Sequence, residues 1–222
     1  MQQSHQQPRI FAVGDIHGCY GNLTTLMGRL PLDPAADFLI FLGDYINRGP
    51  ASRQVIEFLL ELKQKVRNII FLLGNHEHSL LEYARSGHPD DLRALRPLGI
   101  EATLESYGSS SMRSIRNLDF LPDEHRIFLG QLGRCCRLGK YLFIHAGTIP
   151  GEDVQACSLD RLLTVRDTFL SCTGPADEIV VFGHTPFETP FVTCDKIGID
   201  TGAAYGNLLT AVELPRLRFY HA

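Results

Sequence analysis

Ile10-Phe11-Ala12-Val13-Gly14-Asp15-Ile16-His17-Gly18 is an apolar run that ends in a glycine-flanked carboxylate and imidazole. The four apolar residues have the length and composition of a buried strand. The flanking glycines permit a tight turn beyond it. The same grammar recurs four times downstream. Phe38–Leu42 leads into Gly43-Asp44-Tyr45-Ile46-Asn47-Arg48-Gly49, and Ile69–Leu73 into Gly74-Asn75-His76-Glu77. Tyr141–Ile144 leads into His145-Ala146-Gly147, and Ile179–Phe182 into Gly183-His184-Thr185. Carboxylates, imidazoles and an asparagine thus collect at the carboxyl ends of strands, where open α/β sheets place their ligand sites. The set offers oxygen and nitrogen donors, one carboxylate able to bridge, and no thiolate, as two-metal hydrolysis requires.

Between these strands the pattern turns helical, so the fold class reads as α/β. Leu23, Leu26, Met27 and Leu30 share one helical face, with Pro31 as the stop. Pro50 opens a second helix with Val55, Ile56, Leu59 and Leu60 inside. The stretch from about 78 to 133 is mostly helical and interrupted by Gly87, Pro89, Pro97, Gly99 and Ser109-Ser110-Ser111. It reads as an insertion lying over the sheet. After Gly183 the pattern returns to β, with strands expected at Lys196–Asp200, Leu208–Leu214 and Leu217–Tyr220.

The chain of 222 residues is long enough for one domain with a real core. Residues 1–8, polar and rich in glutamine, are expected to be a disordered lead-in, and 9–222 the single domain. A net charge of −4 and the absence of any basic tract argue against nucleic acid as a partner. No apolar run reaches membrane-spanning length. The six cysteines are scattered, with no Cys-x-x-Cys pair. They read as reduced thiols of a cytoplasmic protein, expected to be a monomer.

The five blocks, in this order and spacing, resemble the phosphoprotein phosphatases of the calcineurin-like metallophosphoesterase family, nearest to compact bacterial and phage serine/threonine phosphatases. Thr103-Leu104-Glu105-Ser106-Tyr107-Gly108, Leu162–Leu170 and Ile199-Asp200-Thr201-Gly202-Ala203 are similar to connecting blocks of that group. The resemblance implies two packed mixed β-sheets flanked by helices. It implies two divalent transition-metal ions, manganese by family habit, with iron or zinc as alternatives. One ion would be held by Asp15, His17 and Asp44, the other by Asp44, Asn75, His145 and His184. A hydroxide formed from water between the ions would attack phosphorus directly. Arg48, Arg166 and Asn75 are expected to bind phosphate, the two guanidinium groups as clamps. Arg166 departs from the family in its surroundings, because Thr164 stands where tryptophan is usual. His76 resembles the general acid that protonates the leaving oxygen. Glu77 reads as support for the loop.

Asn47 is the departure that matters most. The family places an aspartate before the clamp arginine, paired with the general-acid histidine, where it orients the ring and favours its protonated form. Asparagine supplies no charge, though its oxygen can still accept a hydrogen bond. Three explanations compete: a deliberately weakened variant, a natural phosphatase with a compromised acid, or substrates whose leaving group needs little protonation. The first reading is a serine/threonine-phosphatase-type phosphomonoesterase acting on a phosphorylated protein or a small phosphoester. The alternative is a symmetrical diadenosine tetraphosphate hydrolase, a group that also lacks the aspartate but tends to carry glutamine and aspartate where this chain has His17 and Glu77. A third is a phospho-binding pseudophosphatase.

Overall fold

The computed structural model describes residues 8–149, 151–174 and 177–222. The expected lead-in lies outside them except for Pro8. In chain order the elements run β1 (Ile10–Val13), α1 (Tyr20–Arg29), β2 (Phe38–Phe41), α2 (Ser52–Lys65) and β3 (Asn68–Phe71). There follow α3 (Asn75–Ser86), α4 (Pro89–Leu95), α5 (Ile100–Ser106) and α6 (Asp123–Gly130). The second half holds β4 (Cys135–Leu138), β5 (Tyr141–Ile144), α7 (Leu159–Thr164), α8 (Asp167–Ser171), β6 (Ile179–Phe182), β7 (Phe191–Val192), β8 (Lys196–Gly198), β9 (Thr210–Leu214) and β10 (Arg218–His221).

Two five-stranded sheets form, ordered β10-β9-β1-β2-β3 and β4-β5-β6-β8-β7. Both are mixed. β1, β2 and β3 are parallel, while β9 and β10 pair antiparallel. β5, β6 and β8 are parallel, flanked by antiparallel β4 and β7. Val13 pairs with Phe41 and Phe41 with Phe71, so the three parallel strands end in step and their loops leave the sheet side by side.

The strands are apolar throughout because both faces of each sheet are covered. Side chains alternate between two cores. Ala12, Ile40 and Leu42 meet Phe143, Val181 and Ile197 between the sheets. Phe11, Val13, Leu39 and Phe41 face outward into a core shared with Leu23, Leu26, Val55, Ile56 and Leu59 of α1 and α2. The helical segment α3–α6 joins that same core through Leu80, Leu95, Ile100, Leu104 and Phe128. On the far side, Leu142, Ile144, Val180 and Phe182 pack against Leu162 and Phe169 of α7 and α8. The result is helices, sheet, sheet, helices. No helix among the described residues is long and apolar enough to cross a membrane.

Several boundaries differ from expectation. β8 ends at Gly198, β9 begins at Thr210, and Leu217 lies in the turn before β10. Leu60, expected inside, is only half-buried at the rim of the outer core.

One buried ion pair stands apart from the strand-tip cluster. Lys196 donates to the Asp195 carboxylate at 2.6 Å and to the Cys172 carbonyl at 2.5 Å. Asp195 also accepts from the Gly174 amide and the Thr193 hydroxyl. These donors hold Asp195 well below the ordinary carboxylate value, against the burial that raises it. Asp195→Asn leaves a buried ammonium without its counter-charge and should cost about 3 kcal/mol in denaturant unfolding at neutral pH. A group with a depressed folded-state pKa stabilises above its unfolded value, about 3.9 for aspartate. The wild-type advantage over Asp195→Asn should therefore hold at neutral pH and shrink as pH falls below about 4. A gap independent of pH would remove the ion-pair account.

Candidate metal centre

All five loops converge at one end of the sandwich and are tied to one another by backbone and side-chain hydrogen bonds. Ile16 and His17 amides donate to the Asp44 carbonyl, Gly18 to Tyr45, and Gly49 to His17. His145 Nδ1 donates to the Leu42 carbonyl at 2.9 Å, joining the second sheet to the first. The His184 amide donates to the Asp15 carboxylate at 3.0 Å. Glu77 is a hub. Its buried carboxylate accepts from the amides of Asp44, Tyr45, Ile46 and Gly74 at 2.8 to 3.2 Å. Burial and the nearby Asp44 charge push Glu77 up to about 7. The geometry matches the support role read from the sequence.

Close approach explains the glycine of the third block. A Cβ on Gly74 would lie 2.1 Å from Asp44 Oδ1 and 2.3 Å from the Asp44 amide. Other positions accept backbone strain. His17, Asp44, Asn47, Arg48 and His184 all adopt left-handed φ, between +47° and +70°. Side chains rarely hold that conformation unless the surroundings impose it, and such residues cluster at functional sites.

Asp44 divides its two oxygens between two groups of donors. Oδ2 lies 3.5 Å from His17 Nε2 and 3.7 Å from His76 Nε2, while Oδ1 lies 3.6 Å from His145 Nε2. His17, Asp44 and His76 form one buried set with ligand atoms within 4.8 Å of one another, and Asp44, His145 and His184 form the other. Asn75 Oδ1 completes the second set, 3.0 Å from His145 Nε2 and 2.9 Å from His184 Nδ1. Asp15, expected beside His17, is buried but turns its carboxylate to the His184 amide. His76 stands in the first set instead.

The donors fit cations. His17 Nδ1 is committed to the Ile46 carbonyl, as His145 Nδ1 is to that of Leu42. Burial lowers His17 to about 3 and His145 to about 4, so both rings are neutral. Each Nε2 is then a lone pair. His145 Nε2 faces the Asn75 oxygen, and His17 Nε2 faces Asp44 Oδ2, acceptor against acceptor. A cation against both turns that repulsion into coordination. The carboxylates give the same indication. Burial raises Asp15 and Asp44, and mutual repulsion involving Asp200 raises both further.

Asp200 is a buried acid to which sequence reading gave no role, although its block was recognised. It follows β8 and accepts from the Gly202 amide. The signal was a carboxylate after an apolar run, as in the first two blocks, but with Ile199 rather than glycine directly before it.

The environment of His76 departs from expectation. Asn47 was expected to offer its oxygen to the ring. Instead the Thr103 hydroxyl donates to Asn47 Oδ1 at 2.8 Å, and Asn47 Nδ2 faces His76 Nδ1 at 3.1 Å. Arg48 Nη2 stands 3.4 Å from His76 Nε2. A neutral imidazole accepts from only one of these, and the shorter contact with Asn47 is the hydrogen bond. Donors on both sides leave no place for a second ring proton. Burial, then the neighbouring His17 and Arg48, depress His76 far below the ordinary histidine value.

The two arginines differ. Arg48 is exposed at the mouth of the site, with its guanidinium 4.9 Å from the ring centre of Tyr205. Arg166 spends Nε on His184 Nε2 at 3.1 Å and Nη2 on the His184 carbonyl at 3.4 Å.

Known proteins carry the same frame. The bis(5′-nucleosyl)-tetraphosphatase PrpE [asymmetrical] of Bacillus subtilis is 28% identical over 229 residues, covering 92% of this chain and 90% of that protein. Its counterpart from Bacillus velezensis is 29% identical, covering 91% and 88%. A crystal structure described provisionally as a diadenosine tetraphosphatase superposes with a TM-score of 0.73 at 25% identity, over 98% of this chain and 94% of that one. A serine/threonine phosphatase from Saccharomyces cerevisiae shares the fold with a TM-score of 0.61 at 15% identity, over 96% and 74%. Residues 8–208 match the family described as calcineurin-like phosphoesterase. That span takes in all five strand-tip loops, and the chain belongs to the calcineurin-like phosphoesterase family.

Proposed function

We propose that this hydrolase cleaves bis(5′-nucleosyl) tetraphosphates, a phosphoanhydride reaction, ahead of phosphoserine or phosphothreonine esters. The observation that carries the reading is the Asn47–His76 contact. An ester of serine leaves as a poor alkoxide and needs a proton. A nucleotide leaves from an anhydride as a stable anion and needs little help. A histidine faced by the Asn47 amide and the Arg48 guanidinium is suited to the second task. The activity named for the relatives supports the same substrate class. Those relatives are asymmetrical enzymes, so the expected products are a nucleoside monophosphate and a nucleoside triphosphate, where the sequence alternative was symmetrical.

In this reading His17 and Asp44 would hold one divalent cation, joined by Asp15 once its carboxylate turns from the His184 amide, and Asp44, Asn75, His145 and His184 would hold the other. Such a pair, when bound, supplies Lewis acidity at the phosphoryl oxygens and activates a water molecule. The chain does the rest. Arg48, exposed above the cluster, takes a phosphate oxygen and stabilises charge developing there. Arg166 does the same once it turns from His184. His76 Nε2–H hydrogen-bonds the phosphoryl group without surrendering its proton. Glu77 keeps the second and third loops in register.

Diadenosine tetraphosphate, a phosphoserine peptide and p-nitrophenyl phosphate, assayed with added manganese and with products separated chromatographically, test the proposal. Adenosine mono- and triphosphate as dominant products, with the highest kcat/KM for the dinucleotide, are expected. Faster turnover of the phosphopeptide would restore the protein-phosphatase reading, and no turnover of any substrate would favour the pseudophosphatase.

Asn47→Asp tests the same point from the other side. A carboxylate beside Nδ1 raises the histidine pKa and keeps the acid protonated to higher pH. Turnover of the phosphoserine peptide should rise about tenfold or more and extend toward higher pH. Turnover of the dinucleotide and of p-nitrophenyl phosphate should change little. Equal effects on all three would show that position 47 does not act through His76.

A further inference from the structure

Tyr205 is the most exposed large hydrophobic side chain among those of the described residues, with 61% of its surface accessible. It is not a loose side chain. It ends a single 3₁₀ turn, Ala203–Tyr205, closed on either side by Gly202 and Gly206 in left-handed conformation. The Tyr205 and Asn207 amides both donate to the Gly202 carbonyl, and the Gly202 amide donates to the buried Asp200 carboxylate. Asn207 Nδ2 ties the far side of the turn to the Glu188 carbonyl. A rigid turn rooted beside the donor cluster therefore holds an aromatic ring out into solvent. The Arg48 guanidinium lies over it, 4.9 Å from the ring centre, and in turn touches His76.

We infer that Tyr205 is a stacking platform for the nucleobase of the substrate, an inference that rests on the dinucleotide reading above. Arg48 links the ring to the cluster, its guanidinium 4.9 Å from the Tyr205 ring centre and its Nη2 3.4 Å from His76 Nε2, so a phosphate on Arg48 sits within a short reach of the ring. A group that reaches it must be planar and must be separated from the bound phosphate by a short spacer. A 5′-nucleotide has that layout, with the ribose as spacer. Aromatic stacking is indifferent to which base is presented, since every base offers a π-face. The platform would thus select for a nucleotide without choosing among bases. The mild net charge of the chain gives a nucleotide no general attraction, so the stacking face would add recognition that the phosphate clamp cannot.

The test is a discrimination ratio in the full-length chain with manganese: kcat/KM for diadenosine tetraphosphate divided by that for tripolyphosphate, an anhydride without a base. Loss of one base–aromatic stack in Tyr205→Ala should lower the ratio roughly tenfold, mostly through KM. Tyr205→Phe, which keeps the π-face, should hold the ratio at the wild-type value. An unchanged ratio in Tyr205→Ala overturns the inference, because the ring then only braces Arg48 for all substrates. A fall in Tyr205→Phe equal to that in Tyr205→Ala overturns it too, assigning the effect to the hydroxyl. A larger loss on a phosphotyrosine peptide than on the dinucleotide would give the ring to an aryl phosphate instead. Failure of the wild type to cleave the dinucleotide, visible before any variant is made, would remove the proposed function and this inference with it.

Discussion

Asp44→Ala is expected to abolish turnover and to lower metal content at both halves of the site, because one carboxylate turns Oδ1 to the His145 side and Oδ2 to the His17 side. Loss of the charge stabilisation that bound cations provide is worth about 4 kcal/mol or more, a fall of roughly a thousandfold in rate. His17→Ala should deplete one ion and largely spare the other. Metal analysis after equilibrium dialysis separates the two outcomes, with kcat/KM measured on the same samples. Two tightly held ions and near-normal rates in Asp44→Ala would overturn the assignment of the bridge. Asp44 also accepts the His76 amide at 3.0 Å, so circular dichroism should confirm that the variant is folded.

Arg48→Ala should lower kcat/KM about a hundredfold, the usual cost of removing a positioned donor from a charged transition state. Both terms should suffer if the guanidinium, as proposed, contacts the phosphate before and during reaction. Thermal stability should change little, because Arg48 is exposed. Arg166→Ala should act in the same direction. That substitution also removes the two bonds that Arg166 makes to His184. An unchanged kcat/KM in Arg48→Ala would exclude the clamp.

Local pattern was a good guide wherever local chemistry decided the outcome. β1, β5 and β6 begin and end where the apolar runs do, because a strand buried on both faces is apolar along its whole length. β4 was missed because Cys135-Cys136-Arg137-Leu138 is an edge strand, half-exposed and without β-branched residues. β7 is two residues long and carries no periodicity to read. The convergence of the donor residues was legible because each sits shortly after its strand. The orientation of Asn47 was not. It is set by Thr103, 56 residues away, and nothing in the sequence around Asn47 announces that partner. Asp15 likewise meets the His184 amide 169 residues along the chain. Tyr205 drew no notice because a lone tyrosine in a glycine-rich turn has no pattern.

The five left-handed residues of the site carry an evolutionary corollary. Each non-glycine side chain in that conformation costs roughly 1–2 kcal/mol, and domains hold a net margin of only about 5–15 kcal/mol. The most economical way for this sequence to gain heat resistance is therefore to let His17, Asp44, Asn47, Arg48 or His184 drift toward glycine. Each such step relieves the backbone and removes a group the chemistry needs. Laboratory selection on folding or solubility alone would erode the strand tips first and leave a sturdier, inert sandwich. Stabilised descendants that remain active should have acquired their gains in the outer helices and sheet edges, far from those turns.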